Sequence, residues 1–221
     1  MARRNGLTFA TALFCALGVL ALATPARAAD LVEPSSEVKF PELRTAGGTS
    51  YKCLATGLRK VVFFKVYANT FCIDEAQAQT IVKAAVTENG GGKTGEDLAE
   101  TLEESRGFFK KIFSSKADKL VVMHMVRDVS KEKLADAFQD SLGKILPQAS
   151  IDKLKGLMTM DATEDMEVLF YSNGSKVFVE MGGKPNMVDD AQIAAKIWRV
   201  WLGPSSVTPG LREDLAERAA N

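Results

Sequence analysis

Residues 54–73 read Leu54-Ala-Thr-Gly-Leu-Arg59-Lys-Val-Val-Phe-Phe-Lys-Val-Tyr67-Ala-Asn-Thr-Phe-Cys-Ile73. The stretch predicts a turn that feeds a long, aromatic, half-buried strand over 60–73, with Arg59 held at its mouth. Side chains alternate across a strand with period two. That puts Phe63, Lys65 and Tyr67 on one face and Val62, Phe64 and Val66 on the other. A guanidinium beside aromatic, mostly apolar walls suits a ligand with an anionic or carbonyl head and an oily body. The alternative is an ordinary sheet strand with Arg59 in solvent.

Working outward, Gly47-Gly48 turns the chain into a strand over 50–57, and residues 38–43 make an edge strand at best. A helix over 75–87 ends at Asn89-Gly-Gly-Gly92, which follows a helix and completes no phosphate-binding pattern. Thr94 with Asp97 resembles a capping box opening a helix over 95–104. Phe108, Phe109, Ile112 and Phe113 share one helical face and read as core. A strand over 120–126 leads to Ser130, an N-cap for a helix to Leu146 with the stripe Leu134, Phe138, Leu142 and Ile145. A short helix over 151–158 follows. Residues 166–171 and 176–180 form a hairpin around Asn173-Gly174, the dipeptide that a type I′ turn prefers. Helices over 191–202 and 209–219 close the chain. Strands at both ends around a helical middle predict an α+β fold, an antiparallel sheet covered on one face by helices.

The first 28 residues read as an export signal. Arg3 and Arg4 form a basic start, Leu7 to Leu22 is almost wholly apolar, and Ala26-Arg-Ala28 supplies a small-residue cleavage site. Cys15 is no lipidation site, because Phe14 precedes it where a small residue is needed. Cleavage leaves residues 29–221 as one domain, periplasmic or secreted. Cleavage takes Arg3, Arg4 and Arg27 from 28 basic residues, leaving 25 against 28 acidic ones, net −3. With no basic block, neither nucleic acid nor an anionic membrane is expected as the main partner, and no second apolar run is long enough for a span.

Cys53 and Cys72 remain in the exported chain. An oxidising compartment allows a disulfide. A hairpin of 51–57 with 61–72, however, puts Cys53 opposite about residue 64, so a bridge needs another register; bonded and free thiols both stay open. Catalytic constellations are scarce. His124 is the sole histidine, which excludes a histidine metal pair; on an apolar strand it reads as a packed imidazole. Glu103-Glu104 and Asp189-Asp190 are neighbours that point apart, and Trp198 with Trp201 reads as a core stripe. No cofactor or metal is expected, and no catalytic residue is assigned.

The order of segments resembles the chalcone isomerase superfamily. Thr56-Gly-Leu-Arg-Lys-Val61 with Phe63-Phe-Lys-Val-Tyr-Ala68 is similar to its "G-x-R … F … V-Y-A" strand, and Lys93-Thr-Gly-Glu-Asp-Leu98 to its "GKT-x-E-x-L" helix start. Arg127-Asp-Val-Ser130 with Ala137-Phe-Gln-Asp-Ser-Leu142 resembles its fatty-acid-binding and bacterial branches, and Ile197-Trp-Arg-Val-Trp-Leu-Gly-Pro204 its closing "WLG-x-x-P". The match spans about residues 36–218. It implies an open-faced β-sandwich with a ligand cleft between a large sheet and a helix layer. In the enzymes an arginine with threonine, tyrosine and asparagine neighbours holds a flavonoid; in the fatty-acid binders the same arginine receives a carboxylate. Arg59 and Tyr67 match that arginine and the tyrosine of the V-Y pair, while an alignment through Gly47-Gly48 would put Lys52 in place of Arg59. Ser130 and Ala137 stand where the enzymes carry tyrosine and asparagine, and Cys72 where a second tyrosine is usual, so the isomerase pattern is broken. Three readings follow: a non-catalytic binder of a fatty acid or similar amphipathic carboxylate, an intramolecular lyase closing a chalcone-like enone, and a scaffold whose cleft is filled by Phe63, Met123 and Trp198.

Overall fold

The computed structural model describes residues 30–221, so the export signal read over 1–28 lies outside the described residues. Seven strands form an antiparallel meander in chain order: β3 (Leu43–Ala46), β4 (Thr49–Val61), β5 (Phe64–Asp74), β6 (Lys119–Met125), β7 (Glu167–Asn173), β8 (Lys176–Met181) and β9 (Lys184–Asp189). A small ribbon of β1 (Leu31–Val32) and β2 (Lys39–Phe40) lies apart from it. Eight helices complete the described chain: α1 (Glu75–Asn89), α2 (Gly95–Glu104), α3 (Arg106–Phe113), α4 (Lys131–Leu142), α5 (Gln148–Lys155), α6 (Ala191–Lys196), α7 (Arg199–Leu202) and α8 (Pro209–Ala220). The fold is α+β, an open-faced β-sandwich. The main core lies between sheet and helices, where Phe71, Phe170 and Met123 meet Phe108, Ile112, Phe138, Trp198 and Trp201. A smaller core on the opposite sheet face packs Leu31 and Phe40 of the ribbon with Tyr51, Cys53, Leu58 and Cys72.

The principal correction concerns residues 54–73. The turn lies at Val62-Phe63, not before residue 60: β4 runs through Arg59 to Val61, and Val61 pairs with Phe64. Gly57 therefore does not end a strand. It sits mid-strand because α8 lies directly on it, and a Cβ there would come within 2.7 Å of the Leu211 backbone nitrogen. Glycine in a strand marks just such a close approach. Gly57→Ala is expected to push α8 off the sheet and cost about 1–3 kcal/mol, read as a lower urea midpoint with an unchanged slope.

The moved turn also changes the register. Cys53 lies opposite Cys72, and the two form a disulfide. Arg59 lies opposite Tyr67, while Lys60 lies opposite Lys65, which leaves Val66 as the extra residue of a bulge. Strict alternation ends there. The two-face assignment fails with it, because Phe64, Val66 and Tyr67 all line the same cleft.

Smaller differences have equally local causes. The β7–β8 turn is Gly174-Ser175, one residue later than expected, since Asn173 pairs with Lys176 and Gly174 supplies the positive φ of 62°. Strand β9, which the sequence reading left unassigned, follows the Gly182-Gly183 turn and is an edge strand that tolerates Pro185. Thr94 caps α2 without a side-chain hydrogen bond, so no capping box forms. Ser130 does cap α4, accepting from the Lys133 backbone N–H. That helix stops at Leu142 rather than Leu146. The expected helix over 191–202 breaks between α6 and α7, with Trp198 and Trp201 both buried. His124 is not packed away: its side chain retains 26% exposure, and Nε2 lies 3.5 Å from a carboxylate oxygen of Asp165.

Candidate functional site

The ends of β4 and β5 splay away from α4, and an open cleft of about 360 Å³ lies between them. Its sheet-side wall is Val61, Phe64, Val66, Tyr67 and Met123. Leu134, Ala137 and Phe138 of α4 face them, and Val200 and Val207 complete the apolar lining. These walls are apolar because they are the margins of two core stripes that diverge here. Polar groups are few and segregated. Arg59 is half-buried and also borders a neighbouring groove, while Arg127 and Lys133 stand at exposed positions on the rim.

Arg59 is half-buried, and its Nη1 donates to the Val207 carbonyl at 3.1 Å. That is the sole protein acceptor it reaches among the described residues, so most of its five donors stay free for an anion. Cross-strand pairing holds Tyr67 beside it. Burial pushes the Tyr67 hydroxyl up to about 12, against weaker downward pulls from the Trp201 indole and the Arg59 charge. Tyr67 therefore stays a neutral donor at physiological pH, next to a fixed cation. Two residues beyond Tyr67, both amide atoms of Asn69 are buried with no hydrogen-bond partner among the described residues, and so is Oγ1 of Thr208. Trp201 and Thr208 directly follow the wall residues Val200 and Val207. Unpaired buried polar groups each cost roughly 1–3 kcal/mol.

The sequence reading chose Arg59 and Tyr67, and the structure brings both into the cleft. Lys52 is elsewhere: it pairs with Glu42 and faces a groove beside α1. The filled-cleft reading fails on geometry. Phe63 is 91% exposed at the β4–β5 turn, Trp198 is core, and Met123 alone of the three lines the cleft. Sequence reasoning missed the α4 wall as a wall, because Leu134 and Phe138 carry the same apolar signal whether they face a core or its open margin. It also missed Arg127, which no periodicity marks; its guanidinium stacks 5.0 Å from the Phe64 ring.

No family model matches the sequence, and no curated protein matches it. Among solved structures, the fold is similar to a fatty-acid binding protein of Arabidopsis thaliana, with a TM-score of 0.67 at 18% identity, covering 87% of this chain and 98% of that one.

Proposed function

We propose that this protein binds a fatty acid or similar amphipathic carboxylate in the sheet–helix cleft, without catalysing a reaction on it, after export and removal of residues 1–28. The observation that carries the reading is an open apolar cleft lined by one half-buried, largely uncommitted guanidinium. The volume falls within the roughly 300–1,000 Å³ of small-ligand sites. An alkyl tail would lie between Phe64 and Val66 on one side and Leu134 and Phe138 on the other. The carboxylate would take a forked contact from Arg59 and a hydrogen bond from Tyr67. The solved structure with the same fold is named for fatty-acid binding, which supports the class of ligand. Export is supported by the Cys53–Cys72 disulfide, a bond at home in oxidising compartments. Against ring closure stand two side chains: the Ser130 hydroxyl is occupied in capping α4, and Ala137 offers the cleft a methyl group only.

Native mass spectrometry of protein recovered from its own compartment is expected to show one bound carboxylate. Calorimetric titration with dodecanoic to octadecanoic acids should show one site, which Ala137→Trp closes. A ligand-free spectrum together with no heat of binding would refute the reading, and conversion of a chalcone to a single flavanone enantiomer well above the background rate would replace it with the lyase.

A further inference from the structure

Four consecutive residues at the β4–β5 turn, Val61, Val62, Phe63 and Phe64, are 47, 77, 91 and 62% exposed. The other large apolar residues exposed among the described ones (Val32, Leu43, Met160 and Met187) are separated in sequence and 40–47% exposed. Scattered exposed side chains of that kind need no explanation, but a contiguous apolar tip does. The tip is also built against local preference. Val62 has φ +56°, a conformation in which a β-branched residue is strained and a glycine or asparagine would be at ease.

Charge surrounds it. Lys60 and Lys65 lie directly opposite each other at the base of the tip, an arrangement that repels in the free protein. The Lys65 ammonium donates to the Ser35 carbonyl, which leaves its charge uncompensated. On the cleft side Arg127 lies over Phe64, and Lys133 occupies the first turn of α4. Among the described residues the one acid lining the cleft is Asp128, whose carboxylate accepts the Glu164 backbone N–H, while Lys60 also borders a groove that carries Glu33, Glu213, Asp214 and Glu217. The net −3 of the exported chain hides this local cationic collar.

We propose that the β4–β5 tip docks the protein on an anionic lipid surface, Val62 and Phe63 entering the acyl boundary while Lys60, Lys65, Arg127 and Lys133 meet the headgroups. A fluid bilayer suits a convex hairpin tip, which presents no concave surface to a folded partner. Apolar insertion combined with basic flanks is what holds peripheral proteins at such surfaces. Val61 and Phe64 belong to both the tip and the cleft wall, so the cleft opens where the tip would enter the membrane. That this serves fatty-acid exchange rests on the proposed function; the docking itself does not.

The test is vesicle co-sedimentation of protein purified from cells expressing the full sequence. Vesicles of phosphatidylcholine alone are compared with mixtures containing phosphatidylglycerol. Binding is expected to the mixed vesicles, weakened by salt. It should fall at least about tenfold in Phe63→Asp, and roughly 30-fold in the Lys60→Gln/Lys65→Gln double variant, two lysine contacts with the anionic surface being removed. Phe63→Trp should become quenchable by brominated lipid, unlike the buried Trp198 and Trp201. Thermal melts confirm that each variant is folded, and Arg59→Ala should bind vesicles like the wild type, so failure of the ligand reading would show separately. Absence of vesicle binding, or binding that Phe63→Asp leaves unchanged, would overturn the proposal. So would a dimer in solution that Phe63→Asp dissolves, because the tip's partner would then be a second copy.

Discussion

Arg59→Ala is expected to weaken binding of a long-chain fatty acid by about 1.5–3 kcal/mol, or roughly 10- to 150-fold. The magnitude follows from a charge-assisted contact made in a partly dry cleft, where the walls are Val66, Tyr67, Leu134 and Phe138 and few other donors reach the ligand. Arg59→Lys should recover part of the loss, since an ammonium lacks the planar fork. Stability should change by no more than about 1 kcal/mol, because the one hydrogen bond lost is that to the Val207 carbonyl. Titration calorimetry on the three proteins, with a melt of each, measures both quantities. Equal affinities in all three would remove Arg59 from the site, and a large stability loss without an affinity change would make it a strut for the segment that leads into α8.

Removing the disulfide should have the largest effect on stability. Cys53 and Cys72 are 19 positions apart, and tying them together restricts the unfolded chain. For a loop of that length the chain-entropy estimate is about 3 kcal/mol, which for a chain of this size lowers the melting temperature by roughly 6–12 °C. The Cys53→Ala/Cys72→Ala variant should melt lower by that amount and lose its sensitivity to reductant, whereas the wild type should fall to nearly the same temperature when reduced. Identical melts for oxidised and reduced wild type would show that the bond does not hold the hairpin. Fatty-acid affinity should drop far less than stability, since the ladder from Thr56 to Arg59 still fixes Arg59 opposite Tyr67.

Much of the helical layer was legible in the sequence. The stripe of Phe108, Phe109, Ile112 and Phe113, the Ser130 cap and the tryptophan pair all behave as their spacing demands. Those signals are local, because a helix buries one face wherever it docks. The hairpin that lines the candidate cleft was misread by several residues. Gly57 looked like the end of a strand, but its missing side chain makes room for Leu211, a residue more than 150 positions away. The true turn at Val62-Phe63 carries no glycine, proline or asparagine, so nothing in its chemistry announces it. From that displaced turn came the cysteine pairing left open and the misassigned strand faces.

By itself, then, the sequence determined the α+β class and the helix faces and singled out Arg59 and Tyr67 as a candidate cation and phenol, because each of these depends on residue type and short-range periodicity. Tertiary structure alone decided the register that joins Cys53 to Cys72, the bulge that turns Val66 into the cleft, and the opening between β5 and α4. It also placed Phe63 outside, on a tip ringed by lysine and arginine, rather than inside as filling. Register and exposure are set by which distant segments meet, and the close seating of α8 on Gly57 is a contact that no local pattern encodes.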